Sequence, residues 1–304
     1  AAGFAGDLIV QTTADTVDTF APDTPVDGLV LKAPSGYSVV SPATTLTSAI
    51  LESNDGLTAA QAEQRVKDAL GLGDVDLETF NPFDDVSSEA AQIYEKKAQQ
   101  IVSIANSISQ LTVSGGGSKS GSFSDALGSI AGVLNSNIES DPSSVIDLAS
   151  NAIIGDVIDE MSDPEGDNYN AAFAAKVEEV GTAAVESMKA VIAVVNTAIN
   201  EIQDISSSAD TLAKIQNIAA SEASKVAEGI APTVTSIDAL DNYVTVAGTK
   251  NIEFDENGTL TQEVTLSIID LIHRMRPAIH LQPQPHLTMG GLLAARRFPH
   301  HLAH

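Results

Sequence analysis

Asp163, Glu165, Asp167 and Asn168 set side-chain oxygens close together around Gly166, between two stretches of helical pattern. A short, bendable cluster of oxygen donors is what a hard cation such as Ca²⁺ takes as ligands. Asp74, Asp76 and Glu78 form a second, sparser cluster of the same kind. Neither is an EF-hand: the twelve-residue loop and its closing Glu are missing, and Asp, Gly and Asn also build ordinary solvated turns. Calcium is therefore the cofactor these residue types suggest, set against a plain loop.

Other chemistry is narrowed by what residues 1–272 lack. All six histidines (His273, His280, His286, His300, His301, His304) lie after residue 272, and the chain has no cysteine. Histidine bases, Ser-His-Asp triads, thiolate nucleophiles and His- or Cys-ligated zinc are thus unavailable to the body. A carboxylate pair of the glycosidase type remains, but without Trp there is no large aromatic platform for a sugar ring. The run Ser114–Ser122 resembles a phosphate loop at first sight. It carries Ser118 where the Walker pattern needs Gly before Lys-Ser, and it follows helical rather than strand pattern.

Charge separates the chain into two compositions. Residues 1–272 hold 10 Lys and 1 Arg against all 41 acids, a formal −30; the later residues add four Arg, giving the total of −26. A surface this acidic repels nucleic acid and anionic lipid. Residues 273–304 contain no acid at all. Their histidines have no carboxylate to orient them as metal ligands, so this tail reads as a non-native or out-of-frame segment and is set aside from the fold.

The elements that must position these residues are mostly helical. With 43% apolar but only 4% aromatic residues, the core must be Ala, Val, Ile and Leu. Residues 7–40 alternate β-branched runs (Leu8–Val10, Leu29–Leu31, Val39-Val40) with Pro and Gly turns, which predicts two or three short strands. Ser41 can cap a helix with Pro42 in its first position, running to about Glu52. Thr58 and Gln61 have capping-box spacing, Ala62, Val66, Ala69 and Leu70 share a face, and Gly71 is placed to end that helix. Ser87 or Ser88 opens a longer helix with Ile93, Ile101, Ile104, Ala105, Ile108 and Leu111 inward, stopping before Ser114.

After the Gly/Ser run, read as a flexible linker, residues 123–231 predict four helices broken at Asp141-Pro142, residues 163–167 and residues 206–208. In the longest, Phe173, Val177, Val180, Ala184, Met188, Val191, Val195, Ile199 and Ile202 follow an eleven-residue period. That predicts one rod of roughly 35 residues and about 50 Å. Leu212, Ile215, Ala219, Val226 and Ile230 supply the stripe of an antiparallel partner. Tyr243–Val246, Ile252–Phe254 and the Asn257-Gly258 turn predict strands again, and Gln262–Ser267 another. No stretch of 18 apolar residues and no leader pattern is evident, and the sequence opens at Ala1 rather than Met, as an excised segment would.

One region resembles a known family. Ser41-Pro42-Ala43-Thr44-Thr45-Leu46, then Leu57-Thr58-Ala59-Ala60-Gln61-Ala62-Glu63, Ala69-Leu70-Gly71-Leu72 and Asp76-Leu77-Glu78-Thr79-Phe80-Asn81-Pro82-Phe83 look like a helical module of very large secreted or surface-anchored bacterial proteins. Such proteins are adhesin-like and carry calcium-binding or cadherin-like repeats elsewhere. The resemblance covers about residues 3–112 and implies an extracellular or cell-surface address, with no catalytic residue to carry over.

The expected protein is thus mainly α, a bundle of long antiparallel helices with short β segments near the N-terminus and after residue 240. Its expected organisation is 1–113, a linker at 114–122, a bundle at 123–231, the start of a β module at 232–272 and the tail. The expected function is a non-catalytic spacer or interaction module, reaching a protein or carbohydrate ligand through other parts of its parent chain, without nucleic acid or membrane insertion. A Ca²⁺-dependent ligand-binding module and a carboxylate-only glycoside hydrolase are the alternatives.

Overall fold

A computed structural model describes residues 6–13, 15–16, 27–205, 208–237 and 239–240. Among them are two strands, β1 (Leu8–Gln11) and β2 (Val30–Ala33), and eight helices: α1 (Pro42–Ser53), α2 (Ala59–Leu70), α3 (Glu89–Ser114), α4 (Lys119–Ser140), α5 (Asn151–Ser162), α6 (Ala171–Val180), α7 (Thr182–Glu201) and α8 (Ala209–Ala227). The fold is mainly α. The strands and tail expected after residue 240 lie outside the described residues.

β1 and β2 pair antiparallel, Leu8 opposite Ala33 and Gln11 opposite Val30. The far edge of β2 is closed by α1: the Lys32 N–H donates to Thr45 Oγ1 (2.8 Å), and Thr44 Oγ1 donates to the Lys32 carbonyl (2.9 Å). Hydroxyls of the helix thus stand in for a third strand, satisfying backbone groups that burial would otherwise strand. Val39-Val40 form no strand and lie in the loop before Ser41.

Local signals place the first helices. Ser41 and Thr44 make a reciprocal capping box with Pro42 at the first position, and Thr58 and Gln61 make a second. Gly71 ends α2 at φ 68, a left-handed cap that glycine adopts without the Cβ clash. Ser88 caps α3. On α3, Ile101, Ile104, Ala105, Ile108 and Leu111 are fully buried as expected, but Ile93 is exposed and Ala91 and Tyr94 face inward instead.

The Gly/Ser run is no flexible linker. Gly117 N–H donates to the Thr112 carbonyl (2.9 Å), Ser118 caps α4, and Lys119–Ser122 form its first turn. Glycines suit this tight reversal as well as they suit a tether: a Cβ at Gly117 would lie 2.5 Å from Thr112 Cγ2. α4 folds back along α3 and also meets α1 and α2, so the two halves share one core.

The expected 35-residue rod is two helices, giving five rather than four between residues 119 and 227. Gly181 breaks it at φ 80, ψ 165, a conformation glycine reaches freely, and glycine also weakens helix interiors by about 1 kcal/mol relative to Ala. The apolar period continues across the break, so it carries no sign of it. Phe173 and Met188 enter the main core, whereas Val191, Val195, Ile199 and Ile202 build a second cluster with Leu212, Ile215, Ile218 and Ala219 of α8. α7 is long and apolar enough to cross a membrane by length and composition, and its apolar face is packed in these cores. Ile230, expected on the α8 stripe, lies beyond its end and is exposed.

Glu222 fastens the chain leaving α8. Its carboxylate, 1% exposed, pairs with Lys225 (2.7 Å) and accepts hydrogen bonds from the Thr233 N–H (2.5 Å), the Thr233 hydroxyl (3.0 Å) and the Val234 N–H (3.3 Å). Burial pushes this acid up, but these donors outweigh it and hold the carboxyl below its ordinary range. Val234 and Leu240 then seal the second cluster.

Candidate functional site

A polar groove runs between α1, α4 and the loop after α5. α1 contributes Ala49 and Ser53, and α4 contributes Gly128 and Gly132, one turn apart on the same face. Two cavities, of about 300 and 210 Å³, meet at Ala49, Ser53 and Asn168. Because α4 has no side chain at those glycines, the Asn168 carboxamide and Glu160 carboxylate lie directly on its backbone. A Cβ at Gly132 would sit 2.5 Å from Glu160 Oε1.

Asn168 Nδ2 donates to Glu160 Oε1 (2.8 Å), and Asn170 Nδ2 donates to Asp125 Oδ2 (2.7 Å). Burial raises the pKa of both acids, and in each the amide bond pulls partly back; for Glu160 the Asp167 charge adds to the rise. At one end Lys32 pairs with Glu52 (3.1 Å). At the other Arg65 bonds Asn135 and Glu139, which holds the Glu139 carboxyl low. Such a groove can hold protons and hydrogen-bond a hydroxylated or cationic molecule. No aromatic ring lines it, so it lacks the stacking surface a sugar-cleaving cleft uses.

The residues expected to bind calcium are divided between two roles. Asp163 caps α5, and its Oδ1 accepts from the Glu165 N–H (2.9 Å) while its carbonyl accepts from Gly166 (2.9 Å), a closed turn. Asp167 and Asn168 instead face the groove, beside Glu160. In the other cluster, Asp76 is a turn cap: Oδ1 accepts from the Glu78 N–H (3.1 Å) and Oδ2 from the Thr79 hydroxyl (2.9 Å). The Glu78 carbonyl binds Ser38, and Asp74 is exposed. Among the described residues no three or more His, Cys, Asp or Glu side chains gather in a way that could hold a metal. Asp125 escapes sequence reasoning because Asn170 is 45 residues away, and Glu160 because it precedes the loop pattern that marks Asn168; the one available signal is the Gly128 and Gly132 spacing.

A second, more apolar groove of about 440 Å³ lies where the two ends of the family-like pattern meet. Leu31, Val39, Val40 and Pro42 form one wall, with Pro82, Phe83, Ala98 and Val102 opposite. Tyr94 ties the two together: its hydroxyl donates to Ser41 Oγ (2.5 Å), and its ring packs 5.2 Å from that of Phe80. Burial pushes the Tyr94 hydroxyl up to about 12, with the Ser41 bond opposing. The patterned residues thus brace one another. The chain matches no protein-family model, no curated protein and no solved structure.

Proposed function

We propose that this chain is a non-catalytic spacer or interaction module of the adhesin type, working within a large secreted or cell-surface bacterial protein. The observation that carries the reading is that both ends of the described chain are fastened to a helical body. At one end β1 pairs with β2, which the Thr44 and Thr45 hydroxyls lock onto α1. At the other, the Glu222 carboxylate grips Thr233 and Val234. A spacer needs this, because it must hold a set distance between what precedes and follows it. The turn at residues 115–117 supports the same reading, since a tether there would leave the distance undefined.

The displaced acids are engaged in structural bonds: Asp125 with Asn170, Glu160 with Asn168, Glu222 with Thr233. The reading does not require calcium, and the Asp163 carboxylate accepts a hydrogen bond within its own turn. The test uses the absence of native cysteine. Dyes on Gln11→Cys and Thr235→Cys are expected to report one narrow distance by single-molecule energy transfer, the same in EDTA and in millimolar Ca²⁺. A broad or Ca²⁺-dependent distribution, or turnover of a polysaccharide by the unlabelled chain, overturns it.

A further inference from the structure

The join between α3 and the α7–α8 hairpin carries polar side chains along its length, beside the apolar residues Met188, Ile192, Val226 and Ala227 that reach the main core. Down α3, Gln92 Oε1 accepts from the Ile205 N–H (2.8 Å), Lys96 Nζ donates to the Asn200 carbonyl (2.9 Å), and Gln100 Nε2 donates to the Asn196 carbonyl (2.8 Å). From α8, Gln216 Nε2 donates to the Gln99 carbonyl (2.9 Å). Four buried oxygens on these same helices, Gln100 Oε1, Asn196 Oδ1, Glu201 Oε2 and Gln216 Oε1, have no hydrogen-bond partner among the described residues. Parting the helices lets water reach each of them, so opening this seam returns hydration that opening an apolar contact does not.

The hairpin can meanwhile keep itself together. Its own cluster joins Val195, Ile199 and Ile202 to Leu212, Ile215 and Ala219 under Val234 and Leu240, and the Glu222 grip closes the far end. It is attached through Gly181, at φ 80, where an added Cβ would meet nothing within 4 Å. A swivel, a polar seam and an internal core are the parts of a unit that opens whole.

We propose that residues 182–240 form a strap that detaches from α3 as one unit, swivelling at Gly181, while β1, β2 and α1–α5 stay folded. Tension applied at Leu240 enters the fold through this strap. Detachment swings the folded strap away from α3, and only its later unfolding lengthens the chain, by at most roughly 3.3–3.6 Å per residue. Its use as an extensible joint rests on the spacer reading, but the opening itself does not, and amide exchange detects it without load.

The test is native-state hydrogen exchange on the full chain at low denaturant, followed by mass spectrometry. The amides of α7 and α8 are expected to exchange through one shared opening, with at least ten-fold less protection than Ile101–Leu111 of α3 and Ile130–Leu134 of α4. Replacing Gln100→Leu together with Gln216→Leu dries the seam and is expected to raise α7 and α8 protection several-fold while leaving α4 unchanged. Exchange of α3, α4, α7 and α8 in a single global event in the unaltered chain overturns the proposal. So does a folded double variant whose α7 and α8 protection is unaltered.

Discussion

The α1–α4 region and the α7–α8 strap are both built from Ala, Val, Ile and Leu, yet they are held by different forces. In the first, helices with side-chain caps press apolar faces into one cluster, with Leu46, Leu70, Ile104, Ile108, Leu127 and Ile130 essentially fully buried. In the second, an apolar pair of helices is joined to the rest partly through side-chain amides, beside the few apolar residues, such as Met188, Ile192 and Val226, that reach the main core. Apolar burial in the first region has no alternative partner. Water competes for every polar bond in the second, so the same composition gives a fixed base and a detachable arm.

Removing part of the base has the largest effect. Leu46→Ala leaves a cavity in the main core and is expected to lower the stability of the body by about 3 kcal/mol, read by denaturant unfolding and by loss of α4 protection. Glu222→Gln attacks the strap instead. Weakening the bonds from Lys225, Thr233 and Val234 is expected to cost about 2 kcal/mol, felt first in exchange of residues 233–240. The pH dependence follows from its lowered pKa. The contribution is complete above the ordinary carboxylate range and is lost as pH falls through the folded value. Thermal melting from pH 7 into acid should therefore erase the difference between Glu222→Gln and the unaltered chain.

A cap is a smaller matter. Thr58→Ala removes one half of the α2 capping box and is expected to cost about 1 kcal/mol, with the strap unaffected. Smallest, and opposite in sign, is Glu160→Gln. This acid is raised in the folded state, so its ionisation opposes folding increasingly as pH climbs through the ordinary carboxylate range, and fully above the raised value. The glutamine can still accept from Asn168 and is expected to raise the melting temperature slightly at pH 7 and not in acid, compared by melting at the two pH values.

The contrast also explains what could be read in advance. The Ser41 and Thr58 caps and the Gly71 terminator are signals contained within four residues, and the structure has each where the spacing puts it. The Gly181 break is hidden because the 3.67-residue period runs straight through it. Glu222 acts on Thr233 and Val234, eleven and twelve residues on, across the end of a helix, and nothing in a local pattern marks it. In the groove, Asp167 and Asn168 are legible as oxygen donors, but their neighbour Glu160 becomes apparent only once α4 lays Gly128 and Gly132 beside it. The Gly/Ser run misleads because a tether and a tight turn draw on the same residues, and the apolar faces on either side of it decide between them.

The most direct test is to pull the full chain by its two ends in an optical trap. The account predicts two ruptures in order: release of residues 182–240 at low force, then loss of the β1–α5 body as one unit at higher force. Separation at residues 114–122 into two independently unfolding halves, or one rupture of the whole chain, would contradict it.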